Sequence, residues 1–225
     1  MRLLTTNESL GHISFHIIRI LCLAGILTRY LANVSPLICP GFSYNKANQR
    51  PWRRNGQSYI KNIKPITIPS QVVRVDQLVR YTPGLIPTNR GTPTTKRYSG
   101  TTIFVDHASD FIYIHLMEGT PDAAKRVEAD QDFDRIAKSH GVTIHHYHAD
   151  NRLFDTHKFK TKLAMSNQTM SFCGVNTNHQ NRKAENQVKD TIIGTMTLLL
   201  HAAHRCPNTL HSSLWPAAIK NYTNL

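Results

Sequence analysis

From Gln71 onward the apolar residues change period in a fixed succession, and this restricts the possible folds more than any other feature of the 225-residue chain. Val72, Val73 and Val75 start a β-branched run that ends at Leu78, and a loop rich in Gly, Pro and Thr follows from Pro83 to Gly100. Thr102 to Asp106 and Phe111 to Met117 are two apolar strands joined by the polar stretch His107 to Asp110, the pattern of a hairpin. Thr120-Pro121-Asp122 marks a helix start, with Thr120 at the N-cap and Pro121 at the first helical position. Ala129, Phe133, Ile136 and Ala137 share one face of that helix, which stops at Gly141. A strand over Val142 to Tyr147 comes next, with Asp150 just past its end, then a helix over Leu153 to Ala164 and a short strand over Met170 to Val175. The last long element begins near Asn181 and carries the stripe Val188, Ile192, Met196 and Leu199, with Glu185 projecting from its first turn on the striped side. Three strands, a helix, a strand and further helices make an α/β protein with a mixed sheet, in which acids at strand ends and on a packed helix converge.

Residues 1–69 read differently, as a small appended module and basic linker. Ile13 to Leu27 is mostly apolar but too short to span a bilayer and broken by His16 and Arg19, so no membrane partner is expected. With Glu8 ahead of it, the stretch is not a signal peptide. It fits a small amphipathic helix with Ile13, Ile17, Ile20, Leu21 and Ala24 on one side. Pro36, Pro40 and Pro51 punctuate the chain beyond this helix, and the basic run Lys46 to Arg54 includes Trp52. Cys22, Cys39, Cys173 and Cys206 form no CxxC pair and read as reduced thiols of an intracellular protein.

The chain holds 27 Lys and Arg against 14 Asp and Glu, a net charge of +13. A basic excess of this size favours a polyanion, because phosphate neutralisation releases counterions and supplies affinity without base reading. Against that background three acids stand out: Asp76 in Val75-Asp76-Gln77-Leu78, Asp150 in His148-Ala149-Asp150-Asn151, and Glu185 in Ala184-Glu185-Asn186. Phosphodiester chemistry needs an activated oxygen nucleophile and a stabilised leaving oxygen, and Mg²⁺ or Mn²⁺ held by a few carboxylates supplies both. Asp76 would bridge two ions, with Asp150 and Glu185 each holding one. Asp106 competes with Asp76 but falls at the hairpin turn, where an Asp is ordinarily structural. His146 and His148 share a strand face without a further ligand at convincing spacing, and His148 is placed to contact a scissile phosphate.

These residues, taken in order, resemble the integrase catalytic core of copia-type retrotransposon polyproteins. The resemblance covers Gln71 to Leu225 and is carried by Val75-Asp76-Gln77-Leu78 with Thr82-Pro83-Gly84-Leu85, Thr95-Lys96-Arg97-Tyr98, Phe104-Val105-Asp106, His148-Ala149-Asp150-Asn151, and His179-Gln180-Asn181 leading into Ala184-Glu185. It implies a ribonuclease-H-like core over 70–225, with a mixed five-stranded sheet flanked by helices and preceded by a small N-terminal helical module. It also implies DNA integration by metal-dependent 3′-end processing and strand transfer, with Asp76, Asp150 and Glu185 as catalytic metal ligands. His148, Asn151, Gln180, Asn181, Lys183 and Lys189 are the expected nucleic-acid contacts. Element ends and host DNA are the implied partners, and a homo-oligomer acting in the nucleus is implied for an active protein.

Leu10-Gly11-His12, Cys39-Pro40 and Arg50-Pro51-Trp52 resemble the zinc module that precedes the core in that family. His12 and Cys39 stand at two ligand positions while Asn7 and Phe42 occupy the other two, so a stable zinc ion is not expected. In the core, Arg152 and Arg182 replace glycines of the family pattern, and Asn186 replaces an Arg. Long side chains beside two ligands open an alternative, a catalytically inactive nucleic-acid-binding relic of a transposable element. An unrelated metal-dependent nuclease of the same fold is a second alternative.

Overall fold

The structure, a computed structural model, describes residues 2–35, 66–88, 92, 94–173, 181–207 and 211–223. The chain divides into two compact units, one of residues 1–52 with 191–225 and one of residues 53–190.

The second unit is built on a five-stranded sheet. β1 (Val73–Gly84), β2 (Tyr98–Asp106) and β3 (Ile112–Glu118) form an antiparallel meander. Helix α3 (Ala123–Ser139) then returns the chain so that β4 (His146–Ala149) pairs parallel with β1, and β5 (Thr169–Phe172) pairs parallel with β4. The spatial order β3-β2-β1-β4-β5 puts β1 at the centre. Antiparallel on one side of β1 and parallel on the other, with helices against the faces, this is the ribonuclease-H-like arrangement.

Alternation along β1 sends Val73 and Val75 into the main core with Phe104, Tyr147 and Ala149, where Ala129 and Phe133 of α3 meet them. Phe104 and Phe133 stack with ring centres 4.7 Å apart, and Tyr113 stacks on Phe133 at 5.3 Å. The face expected for α3 is the buried one, but its N-cap is Asp122, whose carboxylate accepts the Lys125 N–H at 2.8 Å. Thr120 lies two residues too early because Pro121 and Asp122 are still extended chain leading to the helix. The single helix expected over Leu153 to Ala164 is two, α4 (Asn151–Phe154) and α5 (His157–Met165). Thr156 separates them because its backbone is extended and its hydroxyl caps α5 at Phe159 N.

A charged network lies under this core. Asp134 accepts hydrogen bonds from Lys162 Nζ at 2.6 Å, Gln168 Nε2 at 2.9 Å and the Tyr147 hydroxyl at 3.0 Å, and Lys162 also pairs with fully buried Asp130. It ties α3, α5, β4 and the approach to β5 through one ammonium.

In the first unit, α1 (Arg2–Ser9), α2 (Phe15–Leu23) and a short 3₁₀ turn (Arg29–Asn33) enclose a cluster of Leu3, Ile18, Cys22, Leu31 and Ala32. The buried edge of α2 is therefore Ile18 and Cys22, while Ile17 and Ile20, expected to face inward, are about half exposed. Ser14 caps α2 and fixes its rotation, so the stripe four apart from Ile18 packs and the more numerous isoleucines do not. Later elements of this unit are the C-terminal part of α6 (Arg182–Arg205) and α7 (Trp215–Thr223). Glu8 accepts from His201 at 2.8 Å and pairs with Arg205, and buried His12 packs edge-on against His201 with ring centres 5.1 Å apart. Asn7 is buried and donates to the Ile13 carbonyl, and Cys39 lies outside the described residues. No helix among the described residues is long and apolar enough to cross a membrane.

Candidate active site

The residues of β1 that do not enter the main core face the opposite side of the sheet, and Arg74 and Asp76 are among them. Parallel pairing matches Val75 with Ala149, so Asp76 stands beside Asp150, the first residue beyond β4. Asp76 is half-buried, and its Oδ1 accepts the Gln77 N–H at 2.7 Å. Burial, then the Glu185 and Asp150 carboxylates, push the Asp76 carboxyl up to about 6 against that hydrogen bond. Asp76 thus lies within the electrostatic reach of both other acids.

Glu185 occupies the first turn of α6, where a negative side chain is favoured by the helix N-terminus. It is exposed, not on the buried side expected for it, because the buried positions of α6 among the described residues are Ala184, Thr191, Gly194, Thr195 and Thr197, and Glu185 is rotated about 100° from Ala184. The stripe residues Val188, Ile192, Met196 and Leu199 are only half-buried.

Asp106 is fully occupied elsewhere. Its Oδ1 accepts from Ser70 N at 2.7 Å, and its Oδ2 accepts from Ser109 N and Oγ at 2.7 and 2.6 Å, so its carboxylate closes the β2–β3 turn.

Two expected nucleic-acid contacts have other placements. Asn181 is buried, and its Nδ2 donates to the Val75 carbonyl at 3.2 Å, clasping the start of α6 to β1 one residue from Asp76. Lys183 is half-buried, pairs with Asp110 at 2.6 Å and donates to the His107 carbonyl, so its charge is committed to the hairpin turn. Short polar groups at a helix start satisfy the backbone before they meet a ligand. His148 is half-buried with Nδ1 2.8 Å from Ser171 Oγ and Nε2 3.4 Å from Cys173 Sγ. Asn151 opens α4, Lys189 is exposed, and Gln180 lies outside the described residues.

Sequence reading passed over two residues here. Cys173 follows β5, and burial, then Asp150, push its thiol up, with Glu185 and Asp76 adding to the effect and Arg74 opposing it. Arg74 donates through Nε to His107 Nδ1 at 3.2 Å. The usable signal for Arg74 was period two, since it precedes Asp76 by two residues on a strand.

Carboxylates acting on Asp76 form with it a donor set suited to a hard divalent cation, which would offset the burial, and after it the neighbouring charges, that raise Asp76. Among the described residues, no three His, Cys, Asp or Glu side chains are gathered closely enough to hold a metal ion as they stand. The chemistry of the donors fits a hard cation, while the side chains as placed do not gather into a closed ligand set.

No family model matches the chain, and no curated protein does. Among solved structures, it is similar to the catalytic core domain of BIV integrase, at 14% identity over 68% of this chain and 81% of that one, with a TM-score of 0.44. It is similar to the HTLV-2 integrase catalytic core domain in complex with magnesium, at 15% identity over 70% of this chain and 86% of that one, with a TM-score of 0.42. A chain of the simian T-cell lymphotropic virus intasome is similar at 12% identity and a TM-score of 0.42, over 69% of this chain, which spans 48% of that one. These likenesses are shallow, and the strand order and directions define the fold without them.

Proposed function

We propose that this chain carries an integrase-type core that transfers phosphoryl groups on DNA, with a degenerate pre-integrase segment ahead of it. The observation that carries the reading is the placement of Asp76 on the central strand, beside the end of β4, where the Asp150 and Glu185 carboxylates both act on it. Asp76, Asp150 and Glu185 would hold Mg²⁺ or Mn²⁺, which when bound supplies charge neutralisation at the reacting phosphate and an activated oxygen nucleophile. Asn181 fixes the height of α6 over β1, and so the reach of Glu185 towards Asp76. His148, held by Ser171 through Nδ1, would meet a phosphate oxygen through Nε2 in exchange for its contact with Cys173. The net charge of +13 supplies the sequence-independent attraction for the DNA backbone. Processing at a 3′ end and joining of that end to a second duplex are the reactions this site would serve, in a homo-oligomer acting in the nucleus.

The open spacing of the donors, with Arg152 and Arg182 beside two of them in sequence, favours as second reading an inactive DNA-binding relic. One experiment separates the two. The purified chain is incubated with a nicked or blunt element-end duplex in Mn²⁺, alongside Asp150→Asn and the pair Arg152→Gly, Arg182→Gly. Metal-dependent nicking or joining that Asp150→Asn abolishes establishes the transferase. Salt-sensitive DNA binding with no cleavage, even in the double glycine variant, establishes the relic.

A further inference from the structure

A chain of polar side chains across β4 and β5 fixes the tautomer of one histidine. Thr169 Oγ1 donates to the His145 carbonyl at 3.2 Å, so it accepts in turn from His146 Nδ1 at 2.8 Å. Burial holds His146 below the ordinary imidazole range, which keeps its ring neutral at pH 7 and makes its Nε2 an acceptor. The Ser171 hydroxyl, 2.7 Å from that Nε2, donates to it and therefore accepts from His148 Nδ1 at 2.8 Å. His148 is left with its lone pair on Nε2, and that lone pair faces Cys173 Sγ at 3.4 Å. Sequence spacing offers His148 no further metal ligand, and the parallel pairing of β4 with β5 supplies one.

The sulfur and the nitrogen have the separation of two ligands on one ion. In a tetrahedral zinc site, sulfur at about 2.3 Å and nitrogen at about 2.0–2.1 Å from the metal stand about 3.5 Å apart. A zinc ion between Sγ and Nε2 would replace the thiol proton, which passes to solvent, and would accept one lone pair from each ligand. The hydrogen bond from His148 Nδ1 to Ser171 is of the kind that orients a metal-bound imidazole. Asp150 follows Ala149 as Cys173 follows Phe172 in the parallel register, and of the charges acting on the thiol its carboxylate is the strongest. As placed, the sulfur and nitrogen alone stand at ligand spacing, so the carboxylate would close on the ion as it binds. Thiolate and imidazole suit zinc, whereas magnesium takes oxygen ligands. We propose that Cys173, His148 and Asp150 form a zinc site with water in the fourth position, independent of His12 and Cys39. Zinc held there would draw Asp150 away from Asp76 and occupy the His148 nitrogen; that antagonism rests on the phosphoryl-transfer reading, and the zinc site itself does not.

Zinc affinity of the purified full chain is read by competition with a chromophoric chelator, and cobalt(II) in place of zinc reports sulfur ligation as a near-ultraviolet charge-transfer band. The wild type is expected to give the band. In long-range ¹H–¹⁵N imidazole spectra, added zinc should move His148 Nε2 while Nδ1 stays protonated. Cys173→Ser should abolish the band, and His148→Gln, Asp150→Asn and Ser171→Ala should each weaken zinc binding about tenfold or more. Cys206→Ser, at an exposed thiol, and Cys39→Ser should leave the band and the affinity unchanged. The proposal is overturned if the wild type gives no band, if the band survives Cys173→Ser, or if His148 Nε2 does not move when zinc is added. It is overturned equally if folded His148→Gln or Asp150→Asn binds zinc as the wild type does. DNA cleavage is not read in this experiment, so its failure and that of the transferase reading are separate results.

Discussion

Replacing Asp76 by Asn removes one negative charge from the field it shares with Asp150 and Glu185 and keeps an oxygen that can accept the Gln77 N–H. In the wild type, burial first and the two acids second move the Asp76 carboxyl from 3.8 to about 6. At about 1.4 kcal/mol per pH unit, ionising Asp76 in the folded chain costs about 3 kcal/mol. A carboxyl raised by folding contributes its full stability only below its unfolded value. The wild type therefore loses that amount as pH climbs from below 3.8 through about 6, and the Asn variant does not. Urea unfolding in EDTA at about pH 4 and about pH 8 reads the difference directly. The variant should exceed the wild type by about 3 kcal/mol at the higher pH and by less than about 1 kcal/mol at the lower. An equal difference at both pH values, or a more stable wild type at pH 8, would show that folding does not raise the Asp76 carboxyl and would refute the burial and charge environment described for it.

Three further substitutions probe the frame that holds the site. Gly100→Ala places a Cβ 2.6 Å from the Leu78 carbonyl oxygen across the β1–β2 pair, and chemical denaturation should show a loss of about 2 kcal/mol. Lys162→Met leaves Asp130 and Asp134 buried without their ammonium and should cost about 3–5 kcal/mol at neutral pH, with part recovered in the triple variant that also carries Asp130→Asn and Asp134→Asn. Asn181→Leu removes the donor to the Val75 carbonyl. It should cost about 1–2 kcal/mol and speed amide exchange in the first turn of α6, whereas Lys189→Leu should do neither.

Element order was legible because strands and helices here keep their own periods: the meander, the hairpin turn with Asp106 in it, α3 with Ala129 and Phe133 inward, and Asp150 past β4 all follow from local pattern. What local pattern leaves open is rotation and commitment. Ile17 and Ile20 are as apolar as Ile18, and only the cap at Ser14 and the neighbouring Leu3 and Leu31 choose which side of α2 packs. Asp130 and Asp134 resemble solvated helix acids until Lys162 and Gln168 arrive from residues far along the chain. Asn181 and Lys183 have the composition of phosphate contacts, and tertiary hydrogen bonds claim both. Glu185 shows the same limit, since one residue of helical rotation separates a buried carboxylate from an exposed one.

The central place of β1 also governs when the candidate site comes into being. Asp76 acquires Asp150 as a neighbour only after β2, β3 and α3 have been laid down and β4 has closed against β1, and it acquires Glu185 only when Asn181 reaches a carbonyl 106 residues earlier in the chain. Such distant pairings are late and slow, because the entropy of loop closure precedes any reward. A nascent chain released before Asn181 would carry Asp76 and Asp150 without the third acid. The acidic centre is thus a product of complete folding, and an unfinished chain carries its excess of positive charge without it.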